Sequence, residues 1–89
     1  MLVIVASRVM ERHPNLSEAD VIHAVKNAVA SRPRLDARPI AYIGAGPDLA
    51  GRLVEWIESP LLDEPDGWYV YHAQTPPTKR MLRELGLIS

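Results

Sequence analysis

The sequence contains no cysteine. Disulfides and thiolate metal sites are therefore both excluded, and stability has to come from packing. No apolar run approaches the roughly 20 residues that a membrane-spanning helix requires. Met1 to Ala6 is too short for a secretion signal and lacks its basic start, so it reads as structure and the expected compartment is the cytosol. An excess of one charge is missing too: ten Lys and Arg stand against eleven Asp and Glu, a net charge of −1. That balance is not the footprint of a strongly basic nucleic-acid binder. No repeat, low-complexity tract or interdomain linker interrupts the 89 residues. A chain this short buries only about 60 to 65% of its extended surface, which allows one core and hence a single domain over residues 1–89.

Hydrophobic residues make up 47% of the chain and charged residues 24%, ordinary for a globular protein. Leu2 to Val5 predicts a brief extended start, followed by a short helix that His13-Pro14-Asn15 ends. The next helix carries the clearest local signal. Ser17 is its N-cap, Asp20 sits in capping-box position, and Leu16 is placed to staple against Val21. Val21, Ile22, Val25, Ala28 and Val29 form one apolar stripe, and Arg32-Pro33 is read as its stop. Three strands follow, at 40–44, 52–58 and 68–73, the first two joined by the turn formers Gly46 to Gly51. Ser59 to Gly67 is a longer acidic connection. Thr75 is the expected cap of a Pro-initiated last helix that buries Met81, Leu82 and Leu85 and ends at Gly86. The expected fold is α+β: two N-terminal helices, a three-stranded antiparallel sheet and a short C-terminal helix.

Most local motifs have plain structural explanations. Gly44-Ala45-Gly46 follows a strand like a phosphate-binding loop, but Leu49 stands where the third glycine belongs, so a plain turn is the better reading. Asn15-Leu16-Ser17 matches a glycosylation acceptor, yet the same residues account for the helix cap. His13, His23 and His72 lack metal-ligand spacing, so no metal or other cofactor is called for, and His13 and His23 read as surface residues. Arg52 and Glu55, three apart on one strand, project to opposite faces. Trp56, Trp68, Tyr42, Tyr69 and Tyr71 are strand formers that fill a core, with stacking on bases as the alternative. His72 stands apart. It falls at the end of the last strand, just before a helix carrying Lys79 and Arg80, where a base and cations converge.

The order helix, helix, three antiparallel strands and short basic helix joins three short strings: Arg-Pro-Ile-Ala-Tyr-Ile-Gly at 38–44, Gly51-Arg52-Leu53-Val54, and Tyr71-His72-Ala73. In these features, over most of residues 7–85, the chain resembles the BrnT-like toxins of the RelE-fold toxin–antitoxin group. The resemblance implies metal-independent ribonuclease action and an antitoxin partner, with RNA as a further partner and a homodimer left open. Arg38 and Arg52 match the family's strand-flanking arginines, and Tyr71-His72-Ala73 matches its last strand. The chain departs from the family where Gln74 and Thr75-Pro76-Pro77 replace an arginine-rich helix start, leaving Lys79, Arg80 and Arg83 as the cations there. The implied roles are His72 as base or acid, Arg52 and Arg80 on phosphate charge, and Arg38, Lys79, Arg83 and Tyr71 as RNA contacts. Two further readings stand beside this one: a non-catalytic interaction module using the aromatic sheet and the acidic loop 60–66, and a small-ligand pocket at the His72 end.

Overall fold

A computed structural model describes all of residues 1–89. The elements run β1 (Leu2–Val5), α1 (Ser7–Arg12), α2 (Glu18–Lys26), β2 (Ala30–Arg34), β3 (Ala41–Pro47), β4 (Leu53–Pro60), β5 (Gly67–Gln74) and α3 (Lys79–Glu84). The strands form one mixed sheet in the order β1-β5-β4-β3-β2. β2 to β5 pair antiparallel, and β1, from which α1 and α2 carry the chain to β2 at the opposite edge, lies parallel to β5.

This overturns the expected three-stranded antiparallel sheet, and the reasons are local. Leu2–Val5 is a full sheet member because its alternation buries Val3 and Val5 and leaves Leu2 and Ile4 outside. At the other edge, Ala30–Arg34 is a strand despite Pro33, since an edge strand can spare the N–H that proline lacks. Helix α2 accordingly stops at Lys26 rather than at Pro33. The Asn27 side chain donates to the His23 carbonyl at 2.9 Å, and Ala28 and Val29 lie exposed outside the helix. The start of α2 is as the residues require: the Ser17 hydroxyl accepts from the Asp20 amide at 3.0 Å, and the Asp20 carboxylate accepts from the Ser17 amide at 3.1 Å.

The core is divided by the sheet. On one side α1 and α2 cover a cluster of twelve buried residues, among them Val9, Leu16, Val21, Val54, Trp56 and Val70. On the other, Met81 of α3 and its C-cap Leu85 pack with Ile43 and Ala45 of β3. Two glycines allow the close packing of the first side. A Cβ on Gly44 would fall 2.3 Å from the Trp56 ring, and one on Gly46 the same distance from the Ala24 carbonyl of α2. Gly44-Ala45-Gly46 is thus neither a turn nor a phosphate loop but the interior of β3, where a ring and a helix backbone come close.

Candidate functional site

On the α3 side, Leu53, Glu55 and Ile57 share one face of β4. A bulge between β4 and β5 then decides what stands opposite. Ile57 pairs with His72 and Glu58 with Val70, so Tyr71 is the extra residue. Glu55 pairs with Gln74, which makes His72 its diagonal neighbour on the same face. The two side chains meet: His72 Nε2 lies 2.8 Å from Glu55 Oε2.

Glu55 is buried, and its other oxygen accepts the Thr78 amide at 2.7 Å. Burial pushes this carboxyl upward, but the hydrogen bonds from His72 and Thr78 outweigh it, and its pKa lies below the usual carboxylate range. An ionised carboxylate only accepts, so Nε2 of His72 must carry hydrogen. In the neutral ring, Nδ1 then keeps the lone pair that a general base needs. His72 stays about one-third open to solvent at its side chain, and the ring of His13 stands edge-on to it with centroids 6.2 Å apart.

Beside this pair opens a cleft of about 240 Å³ lined by Arg34, Glu55, Ile57, Thr78, Arg80, Met81 and Glu84. Arg34 is held there by a two-pronged contact, Nε and Nη2 donating to Glu84 at 2.7 and 2.8 Å. The Arg34 hydrogen bond is the main reason the Glu84 carboxyl lies below its ordinary range, and the same bond raises Arg34. Arg80 lines the cleft without a carboxylate of its own within salt-bridge distance. Helix α3 holds this wall in place through Thr78, whose hydroxyl accepts from the Met81 amide at 3.1 Å. Thr75, the expected cap, instead donates to the Leu53 carbonyl at 2.6 Å and fastens the end of β5 to β4.

No family model, curated protein or solved structure matches this chain.

His72 and Arg80 are linked through Glu55, which His72 contacts and which lines the cleft with Arg80; His72 itself is not a lining residue, and Arg52 lies elsewhere. Arg52 follows the β3–β4 turn and reaches toward α2. Its Nε donates to Asp48 at 2.7 Å, its Nη2 donates to the Asn15 carbonyl at 2.9 Å, and it lies 4.0 Å from Asp20. Burial pushes the Asp48 carboxyl up, but the Arg52 amide and guanidinium and the Ala50 amide overrule it and hold it low. Arg52 therefore clamps a turn, on the face opposite Glu55 as their spacing implies. Arg38 lies in the β2–β3 connection and donates to its own loop at Leu35 and Ala37, outside the cleft lining. Lys79 and Arg83 are exposed on α3, and Tyr71 is half-buried against the larger core. His23 is bound rather than free, its Nδ1 2.9 Å from the Pro47 carbonyl. Glu55, Arg34 and Glu84 were missed by sequence reasoning. For Glu55 a signal existed: it shares the strand phase of Leu53 and Ile57, so a carboxylate in that phase has to be paired indoors. Arg34 and Glu84 stand fifty residues apart and carry no comparable sign.

Proposed function

We propose that the chain is a toxin-type endoribonuclease working without a metal, with His72 as the proton-transfer group and Arg80 as the phosphate ligand. The observation that carries this reading is the part-buried Glu55–His72 contact, whose Glu55 lines a cleft together with Arg80. Glu55 fixes the ring and its tautomer, which makes it a positioning residue. His72 Nδ1 accepts the proton of a ribose 2′-hydroxyl, whose oxygen attacks the adjacent phosphorus. The bond to the 5′ oxygen breaks, and that oxygen takes a proton from solvent or from the neighbouring His13 ring. Arg80 offsets the negative charge that builds on the phosphoryl oxygens. A 2′,3′-cyclic phosphate and a free 5′-hydroxyl are the products, so RNA and not DNA is the substrate. In this reading the partner is a cognate antitoxin that covers the cleft.

One observation favours the non-catalytic alternative. Within the cleft, Arg34 and Arg80 are matched in charge by Glu55 and Glu84, so the lining attracts a polyanion only weakly. Expression in a bacterial host separates the two. The nuclease reading expects the unmutated chain to arrest growth and fragment RNA, and His72→Ala or Arg80→Ala to relieve both. Intact RNA and normal growth with the soluble unmutated chain would leave the interaction module.

A further inference from the structure

The two edges of the sheet are finished differently. β2 carries Arg32, Pro33 and Arg34, the charge and proline that block strand addition at an exposed edge. β1 carries Leu-Val-Ile-Val, with no charge, proline or bulge. Its inward hydrogen bonds are made by alternate residues: the Leu2 amide donates to Asp66 at 3.0 Å and the Ala6 amide to Val70 at 2.8 Å. By that alternation the amides and carbonyls of Val3 and Val5 point away from β5, along the open edge. Leu2 and Ile4 are 45% and 43% exposed, and Ile4 is in register with Tyr69, itself 39% exposed, so an apolar strip flanks the edge on the α3 side.

We infer that β1 is a self-pairing edge, and that its occupant is β1 of a second copy of this chain, antiparallel about a two-fold axis through Ile4. A second copy fits because the edge is self-complementary. With Ile4 facing Ile4, Val3 of one chain faces Val5 of the other, and each such pair exchanges both backbone hydrogen bonds using the outward groups. Leu2 then faces Ala6, so the apolar flanks of both copies merge and no charge is set against its like. The pairing doubles the five-stranded sheet into one continuous surface. Both α3 clefts open on the same side of that surface, because paired residues across a ladder share a face. This inference is independent of the nuclease reading: the edge pairs whether or not the cleft cleaves RNA.

The native chain has no cysteine, which makes cross-linking clean. In the pairing above, the two Ile4 positions form a non-hydrogen-bonded pair with Cα atoms about 4.5 Å apart, within disulfide reach. The two Leu2 positions lie roughly 13 Å apart, four residues out of step. Under air oxidation at micromolar concentration, Ile4→Cys is expected to run almost wholly as a covalent dimer and Leu2→Cys to remain uncross-linked. Light scattering is expected to give the mass of two chains for the unmutated protein and of one chain for Ile4→Lys, with circular dichroism confirming that the exposed-site variant is folded. A one-chain mass for the unmutated protein at these concentrations, or equal cross-linking at both positions, would overturn the inference.

Discussion

Between the sheet and α1 and α2 twelve residues are buried in one cluster, while on the α3 side four are buried and a cleft lined by charged residues opens beside them. The first side is apolar and closely fitted, with glycines placed where a ring and a helix backbone come near. The second tolerates a buried carboxylate, a half-open imidazole and two arginines. Stability concentrated on one face frees the other to hold polar groups that a small domain could not otherwise carry. Glu58 is the exception that tests this division. It is buried in strand phase with Trp56, and neither its Oε1 nor the Trp56 indole N–H makes a well-formed hydrogen bond, although the indole is near enough to favour the carboxylate slightly against burial.

The difference between the faces can be broken most severely at Trp56. Trp56→Ala is expected to cost about 3–5 kcal/mol, whereas Met81→Ala, in a short surface helix free to settle, falls near the low end of about 2–5 kcal/mol. Urea denaturation of the two variants measures the contrast, and equal losses would erase the distinction between the faces.

Next in size is a pH effect from Glu58. Burial pushes its pKa from 4.5 up to about 7. A folded-state pKa raised in this way stabilises fully below the unfolded value, and the benefit is lost as pH rises from 4.5 through about 7, roughly 3 kcal/mol in all. Asp20, Asp48, Glu55 and Glu84 are depressed instead, so their contributions hold above the ordinary carboxylate range and fail as pH falls. Stability should therefore peak in mildly acid solution. Glu58→Gln is expected to flatten the alkaline decline while leaving the acid limb in place, as read from unfolding midpoints across pH.

Arg52 sharpens the comparison from the other direction. Arg52→Ala removes the guanidinium from buried Asp48 and should cost about 1–3 kcal/mol, with cleavage per folded molecule unchanged. Glu55→Gln should do the reverse. It costs only about 1 kcal/mol in stability, because the amide oxygen can still accept from Thr78. If the proposed nuclease reading holds, it should nevertheless lower the turnover of RNA about tenfold or more with KM little changed, since the ring of His72 is no longer held. Denaturation and steady-state kinetics on the same two preparations read both effects.

Much of this organisation is legible in the chain, and the failures have physical causes. The Ser17–Asp20 capping box and the antiparallel pairing of β3 with β4 rest on neighbours in sequence; the box is found where the residues place it, while β3 runs on to Pro47 through residues expected in the turn. Local signals misled where a residue has two uses. Pro33 reads as a helix stop but sits in an edge strand, and Gly44 and Gly46 read as turn formers but make room for Trp56 and α2. At the cleft, His72 and Arg80 could be named because they lie close along the chain. Their companion Glu55 comes from another strand through a bulge that shifts the register, and Arg34 arrives from the far edge of the sheet. Such pairings are fixed by topology, which short-range patterns do not encode.

The central claim is that Glu55 and His72, beside Arg80, form the working site. Its most direct test is incubation of purified protein with a defined single-stranded RNA in the presence of a chelator, with the new ends identified. The expected result is cleavage to a 2′,3′-cyclic phosphate and a 5′-hydroxyl, reduced about 10²–10⁴-fold in folded His72→Ala. Uncleaved RNA with the unmutated protein, or equal cleavage by His72→Ala, would contradict it.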